Sequence, residues 1–210
     1  MPEVSLHLAG SEVALFDLTG GEFRSDEPPP FWAFVWAGGQ ALARFVLDHP
    51  EQVRGATVLD LAAGSGVAGI AAAKAGARHV TAADVDPAAA AAIRRNAAAN
   101  GVAVHPGAGA EADVVLAGDA FYSDRVAGRM TDLLRGHRRR GGRILVGDPG
   151  RGYFPAPLFQ RIAEYVVPVP AVLEETETLV TGVYEMRLTK SPGDRREMIS
   201  STKKLYAANI

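Results

Sequence analysis

From Ala56 to Gly69 the chain reads A-T-V-L-D-L-A-A-G-S-G-V-A-G, and no other stretch restricts the fold so much. Two apolar residues, Val58 and Leu59, run into Asp60. Five small residues follow, Ala62, Ala63, Gly64, Ser65 and Gly66. Val67 to Ala73 is then small and aliphatic, suited to a packed helix. Strand, tight loop and helix start is the arrangement by which a parallel sheet holds a nucleotide-like ligand. Backbone comes close to a ligand only where side chains are absent, and the first helical N–H groups remain available as donors.

The rest of the chain fits this unit. From Gly55 on, strands near 57–61, 79–83, 102–105, 113–118 and 143–147 alternate with helices near 67–76, 87–99, 124–136 and 156–164. Such alternation predicts an α/β, Rossmann-like doubly wound sheet, mostly parallel. A last pair, about 165–173 and 179–189, has no helical pattern between its members and reads as an antiparallel hairpin. Upstream, residues 4–9 and 12–18 read as short strands with a turn at Gly20-Gly21. Glu27-Pro28-Pro29-Pro30 is stiff and extended. Both tryptophans, Trp32 and Trp36, then fall beside Phe31 and Phe34, ahead of an amphipathic helix at about 38–48 that stops at Pro50. The aromatic group serves either as a hydrophobic anchor or as a flat wall for a ligand. Residues 190–210 are polar and unpatterned, as in a flexible tail. One domain over 1–189 follows, with a lead segment at 1–54 and the Rossmann-like core at 55–189.

Charge and composition narrow the function. The 22 basic and 24 acidic residues of this 210-residue chain nearly cancel, so bulk nucleic-acid binding by charge is not expected. The basic run from Arg135 to Arg143 ends a helix, where cations complement the dipole. With no cysteine there are no disulfides or thiolate metal sites, and the five histidines lack ligand spacing, so no metal is expected. Neither a membrane-length apolar run nor a signal-peptide pattern is present, and a cytoplasmic, monomeric protein is the expectation.

Candidate chemistry gathers where strands end. Asp60 and Gly64 follow the first strand, Asp84 the second, Gly118, Asp119 and Tyr122 the fourth, and Asp148 the fifth. In an open doubly wound sheet these ends border one crevice. Asp84 lies 84 − 64 = 20 residues beyond Gly64, the separation of an acid that grips ribose hydroxyls. Val85 beside it suits an adenine face. Gly64 to Gly69 also spells G-x-G-x-x-G, which alone would admit NAD. An ionised carboxylate at Asp60 would repel a pyrophosphate, however, and suits a ligand carrying an ammonium and a sulfonium, as S-adenosylmethionine does.

The string D-x-A-x-G-x-G at 60–66 resembles motif I of the class I methyltransferases, with Ala62 in place of a glycine. That exchange requires only that φ be negative at position 62. P-F-W-A-F-V-W-A-G-G-Q-A-L at 30–42, A-D-V-D-P at 83–87, G-D-A-F-Y at 118–122 and I-L-V-G-D-P-G-R at 144–151 extend the likeness. Together they resemble the seven-β-strand protein-lysine methyltransferases with a D-x-x-Y motif, and among them the electron transfer flavoprotein β-subunit lysine methyltransferase family. The resemblance implies S-adenosyl-L-methionine as cofactor, bound by Trp36, Asp60, Ala62, Gly64, Gly66, Asp84, Val85 and Gly118. It implies a protein acceptor with a reactive lysine, the electron transfer flavoprotein β-subunit being the named candidate. Asp119 orients the amine, Tyr122 and Trp36 shape an aromatic passage, and Phe121, Asp148 and Arg151 are placed toward the substrate, with loop bracing as a second role for the last two. Between Val104 and Asp113 the connection is short, leaving His105, Glu111 or backbone amides for the adenine. Three alternatives remain: a nicotinamide-like small-molecule N-methyltransferase, a NAD-binding oxidoreductase, and a cofactor-binding protein without turnover.

Overall fold

The computed structural model describes residues 2–10, 29–109, 111–174 and 176–187. The expected strand at 12–18, the turn at Gly20-Gly21 and the tail at 190–210 lie outside them. A lead helix α1 (Ala37–Asp48) precedes β1 (Thr57–Leu61), α2 (Val67–Lys74), β2 (His79–Ala83), α3 (Ala89–Ala99), β3 (His105–Pro106), β4 (Val114–Gly118), α4 (Asp124–Arg139) and β5 (Arg143–Asp148). The chain then forms β6 (Phe159–Pro168), α5 (Ala171–Glu174) and β7 (Thr178–Met186). The seven strands lie in the order β3-β2-β1-β4-β5-β7-β6. The first five are parallel, and β7 runs antiparallel to both β5 and β6.

Successive strand residues feed opposite faces of this sheet. Val58, Leu116 and Leu145 pack with Leu42, Val46, Ile70 and Ile93 of α1, α2 and α3. Leu59, Val115, Ile144 and Val146 pack with Met130 and Leu134 of α4 and with Phe121 and Phe159. Both faces are covered, which explains why the central strands read as continuous apolar runs rather than alternating ones.

Four expectations differ from the structure. The helix expected at 156–164 is a single 3-10 turn, Ala156–Leu158, followed by strand β6. Phe159, Ile162, Ala163, Val166 and Val167 fall at helical spacing, but in the strand they divide between its faces: Phe159 packs on the α4 side, Ala163 and Val167 on the α1 side after a register irregularity between Arg161 and Ala163, and Ile162 and Val166 are exposed. Conversely, the β6–β7 connection does contain a helix, the short α5. Strand β3 is confined to His105 and Pro106, since Val104 turns into the core and Pro106 has no N–H to extend the ladder. Residues 4–9 form no strand. The Ser5 and His7 amides donate to Asn100 Oδ1 (3.0 Å) and Asn96 Oδ1 (2.7 Å), and Ala9 N–H donates to the Ala33 carbonyl (2.8 Å). Asn96, fully buried, also donates to the Ser65 carbonyl at 2.9 Å, tying this segment to the loop after β1.

Helix α1 begins against the ends of β4 and β5, and the contact is backbone on backbone. A Cβ on Gly38 would overlap the Gly147 carbonyl, one on Gly147 would overlap the Gly38 carbonyl, and one on Gly118 would lie 2.6 Å from the Gly39 nitrogen. Three glycines from three elements thus set the distance between α1 and the sheet.

Candidate active site

The carboxyl ends of β1, β2, β4 and β5, with the start of α1, enclose a cavity of about 210 Å³. Trp36, Ala62, Gly64, Asp84, Val85, Gly118, Asp119, Tyr122 and Arg151 all line it, brought from five separate stretches of chain. Pro29, Phe31, Trp32 and Asp86 complete the wall. A smaller hollow of about 40 Å³ shares Trp36, Ala62, Gly64, Gly118 and Asp119 and reaches Asp60, Ser65 and the start of α2.

The loop after β1 is built from left-handed residues. Gly64 and Gly66 have φ of 51° and 82°, and Ala62 has φ of 58°. The negative φ expected at Ala62 is therefore corrected: an alanine occupies a conformation that a Cβ disfavours by about 1–2 kcal/mol. Ala62→Gly is expected to raise stability by roughly 0.5–1 kcal/mol, after the extra freedom glycine adds to the unfolded chain. Equilibrium denaturation checks this, and a loss of stability would refute the strain. Gly66 does not line the main cavity. It caps α2 in a left-handed conformation, and a Cβ there would press on Ile93 at 3.2 Å.

Asp60, expected as an ionised carboxylate at the strand end, is held in a setting that works against its charge. Only 2% exposed, it accepts the Gly69 amide of α2 at 2.7 Å. Burial lifts its pKa to about 7, against the Gly69 hydrogen bond and with help from the charge of Asp84. At the other end, Asp84 Oδ2 accepts from the Gly64 amide (2.8 Å) and Oδ1 from Asp86 (2.9 Å), while Val85 stands 88% exposed beside it. An apolar side chain held out next to an acceptor pair suits a flat ring joined to a diol. His105 stacks on His79 at 4.8 Å, and neither it nor Glu111 lines the cavity.

Asp119 is the most constrained group. Its φ of 50° turns it out of β4, and its own N–H donates to the Gly147 carbonyl at 3.0 Å. Oδ2 accepts from the amides of Gly38 and Gly39, two of the unpaired donors at the start of α1. Oδ1 accepts from Arg151 Nη2 at 3.0 Å. Burial raises its pKa to about 6, against Arg151 and the Gly38 amide. Arg151 also makes a fork with Glu174 of α5, Nη1 to Oε2 at 3.1 Å and Nη2 to Oε1 at 2.6 Å, and lies 6.0 Å over the Trp36 ring. Burial works against its charge, but the two carboxylates hold its pKa above the ordinary guanidinium value. Phe31 contacts both Trp36 (5.6 Å, edge-on) and Tyr122 (5.4 Å), and its carbonyl accepts from Trp36 Nε1 at 2.9 Å. Half-exposed Tyr122 has its hydroxyl pKa pushed up, first by burial and then by Asp84, so it stays a neutral phenol.

Of the residues placed toward the substrate, Phe121 lies elsewhere and Asp148 takes the alternative role of loop brace. Phe121 is fully buried and packs edge-on against Phe154 and Phe159 on the α4 side of the sheet. Asp148 is likewise buried. Its Oδ1 takes the amides of Gly150 and Arg151, both at 2.7 Å, which makes it the brace of the loop that presents Arg151. Burial lifts its pKa above the usual carboxylate range. Glu174 and the Gly38 and Gly39 amides were missed because no local pattern links α5 or α1 to the end of β4. Among the described residues no group of three metal-ligating side chains is present, and no helix is long and apolar enough to cross a membrane.

Comparison with known proteins places this geometry. The family model of ribosomal protein L11 methyltransferase (PrmA) matches residues 41–121. The electron transfer flavoprotein beta subunit lysine methyltransferase of Rattus norvegicus is 37% identical over 169 residues, 74% of this chain and 66% of that protein. Its Danio rerio counterpart is 40% identical over 162 residues, 73% of this chain and 62% of the relative. The chain thus covers just under two thirds of these relatives' own length. Among solved structures, a ribosomal protein L11 methylase from Lactobacillus delbrueckii subsp. bulgaricus superposes with a TM-score of 0.51 at 20% identity, over 71% of this chain and 79% of that one. A precorrin 8W decarboxylase from Methanobacterium thermoautotrophicum reaches the same TM-score at 15% identity, over 74% and 94%. These two likenesses concern the fold alone.

Proposed function

We propose, on the premise that this chain belongs to the class I, seven-β-strand methyltransferases and resembles the electron transfer flavoprotein β-subunit lysine methyltransferases, that it methylates a lysine side chain of a protein, with S-adenosylmethionine as cofactor. The electron transfer flavoprotein β-subunit is the first acceptor to test. The observation that carries the reading is the joining, in one cavity, of the Asp84–Val85 edge to an aromatic passage that ends at Asp119.

The residues fit that cofactor. Asp84 offers carboxylate oxygens to a ribose diol, Val85 an apolar face to adenine, and the smaller hollow brings Asp60 toward a cationic amino-acid end. NAD fits less well, because the Gly64 amide that a pyrophosphate would require already donates to Asp84. When bound, S-adenosylmethionine supplies a methyl group on a sulfonium, and the electron pair of the broken C–S bond leaves with sulfur. The protein aligns the nucleophile for in-line attack. Phe31, Trp36 and Tyr122 surround the alkyl stem of the lysine, and their ring faces attract its ammonium. Asp119, oriented through Oδ2 by α1, receives the nitrogen. Freeing the lysine lone pair at neutral pH costs roughly 5 kcal/mol from a reference pKa near 10.4, and desolvation in the passage reduces that cost. One proton leaves before attack and passes to water.

The decisive assay uses purified protein, radiolabelled S-adenosylmethionine and recombinant electron transfer flavoprotein β-subunit. Label on a lysine is the expected result. Label only on a small amine would replace the protein acceptor with a small-molecule one, and no label on any acceptor would refute the activity.

The buried Asp60 adds a pH test. A cation in the smaller hollow favours the ionised carboxylate, so binding expels a proton while Asp60 is protonated. Cofactor affinity is therefore expected to strengthen about tenfold from pH 6 to pH 8. Calorimetry in buffers of different ionisation enthalpy reads the proton release. Asp60→Asn should flatten the profile, and a flat wild-type profile would exclude the coupling.

A further inference from the structure

The hydrogen bonds of Asp119 are unequally shared. Oδ2 holds two backbone amides of α1, whereas Oδ1 holds only part of one donor, Nη2 of Arg151, which also donates to Glu174. Glu174 by contrast takes both ends of the guanidinium. Asp119 and Glu174, 10% and 11% exposed at the side chain, face a single guanidinium that is 24% exposed. Two carboxylates and one cation leave one negative charge for an incoming ammonium. Asp148, the next carboxylate, is not bonded to the guanidinium: Oδ1 takes loop amides and its buried Oδ2 has no partner among the described residues.

Resting on the lysine reading above, we propose that Glu174 is a positioning residue for the acceptor: it holds Arg151 on its own, so that Oδ1 of Asp119 passes from the guanidinium to the substrate ammonium. Losing Asp119 costs Arg151 one shared hydrogen bond and leaves its fork with Glu174 intact. Asp119 keeps its orientation meanwhile, because the amides of Gly38 and Gly39 do not take part in the exchange. Without the charge of Glu174, Arg151 would have Asp119 as its nearest counter-ion, and the ammonium would have to compete with a guanidinium for the same oxygen. The α5 connection, remote from the sheet ends in sequence, thereby determines whether a cation can enter.

Glu174→Gln keeps the size and an acceptor but removes the charge, whereas Glu174→Asp keeps the charge and shortens the reach. Two readouts apply at saturating S-adenosylmethionine: the KM for electron transfer flavoprotein β-subunit, and the quenching of Trp32 and Trp36 emission by n-butylammonium, which needs no turnover. For Glu174→Gln both constants are expected to weaken about tenfold, the scale of one hydrogen bond to a charged group, with cofactor Kd unchanged. Glu174→Asp is expected to lose about threefold or less. A Gln variant equal to wild type, an Asp variant worse than the Gln variant, equal loss of cofactor affinity, or no n-butylammonium binding by wild type would each overturn the proposal. If wild type methylates no lysine but the n-butylammonium ranking holds, the lysine reading fails and the role of Glu174 stands.

Discussion

Asp119→Asn is expected to lower turnover by about 10²–10³-fold, the scale for removing one preorganised electrostatic contact in an enclosed site. Shape is almost conserved. The amide oxygen can still accept from Gly38 and Gly39, so α1 remains capped, but the NH2 group then faces Arg151 Nη2, donor against donor. The charge proposed to draw in the ammonium is lost as well. Cofactor Kd should change by less than about threefold, since the proposed holders of adenine, ribose and the amino-acid end are Asp84, Val85 and the loop after β1. Steady-state kinetics with cofactor titration separates the two quantities. Weaker cofactor binding with unchanged turnover would remove Asp119 from the acceptor end of the site.

The largest effect on stability is expected where α1 meets the sheet. Gly38→Ala or Gly147→Ala puts a methyl group into a carbonyl of the opposing backbone, and neither partner is the end of a movable side chain. The cost should reach at least about 3 kcal/mol. For a chain of this size that is a fall of about 10 °C in melting temperature. Gly128→Ala is the control: it lies on α4 with nothing within 4 Å of a Cβ, and is expected to gain up to about 1 kcal/mol from helix propensity. Ordinary melting temperatures for both close-contact variants would refute the interlock. Because Asp119 caps the same helix, any partly folded Gly38→Ala protein should lose turnover before it loses cofactor binding.

Legibility in the sequence followed the range of the interaction involved. Strands β1 and β2 and helices α1 and α2 follow from local pattern, since apolar runs, small-residue loops and the break at Pro50 act over a few residues. The candidate cofactor edge, from Ala62 and Gly64 to Asp84 and Val85, is a property of one strand–loop–helix unit plus the next strand end, and spacing reaches that far. Strand β6 reads as helix because its apolar residues lie on both faces of an edge strand, with Ile162 and Val166 exposed and a one-residue irregularity after Arg161, so no clean period of two is left. Ala62 was misread because its φ is imposed by the loop around it. Phe121 follows Asp119 by two residues, and only tertiary packing turns it into the core. Glu174 reaches Arg151 across 23 residues and a change of strand direction, which no local periodicity encodes.

The strand order also has a temporal side. Strand β7 is inserted between β5 and β6, so the outer edge of β5 stays without its partner until Thr178–Met186 has been synthesised. In a nascent chain released from the ribosome tunnel only as far as β5, the strands that carry Asp84, Asp119 and Tyr122 are all present. Such a chain still presents a bare strand edge to other chains. Glu174, just ahead of β7, reaches Arg151 only as that edge is closed. On the proposed reading, acceptor recognition is thus among the last properties this protein acquires during its synthesis, and chains interrupted before α5 would carry the candidate cofactor crevice without the carboxylate that restrains its guanidinium.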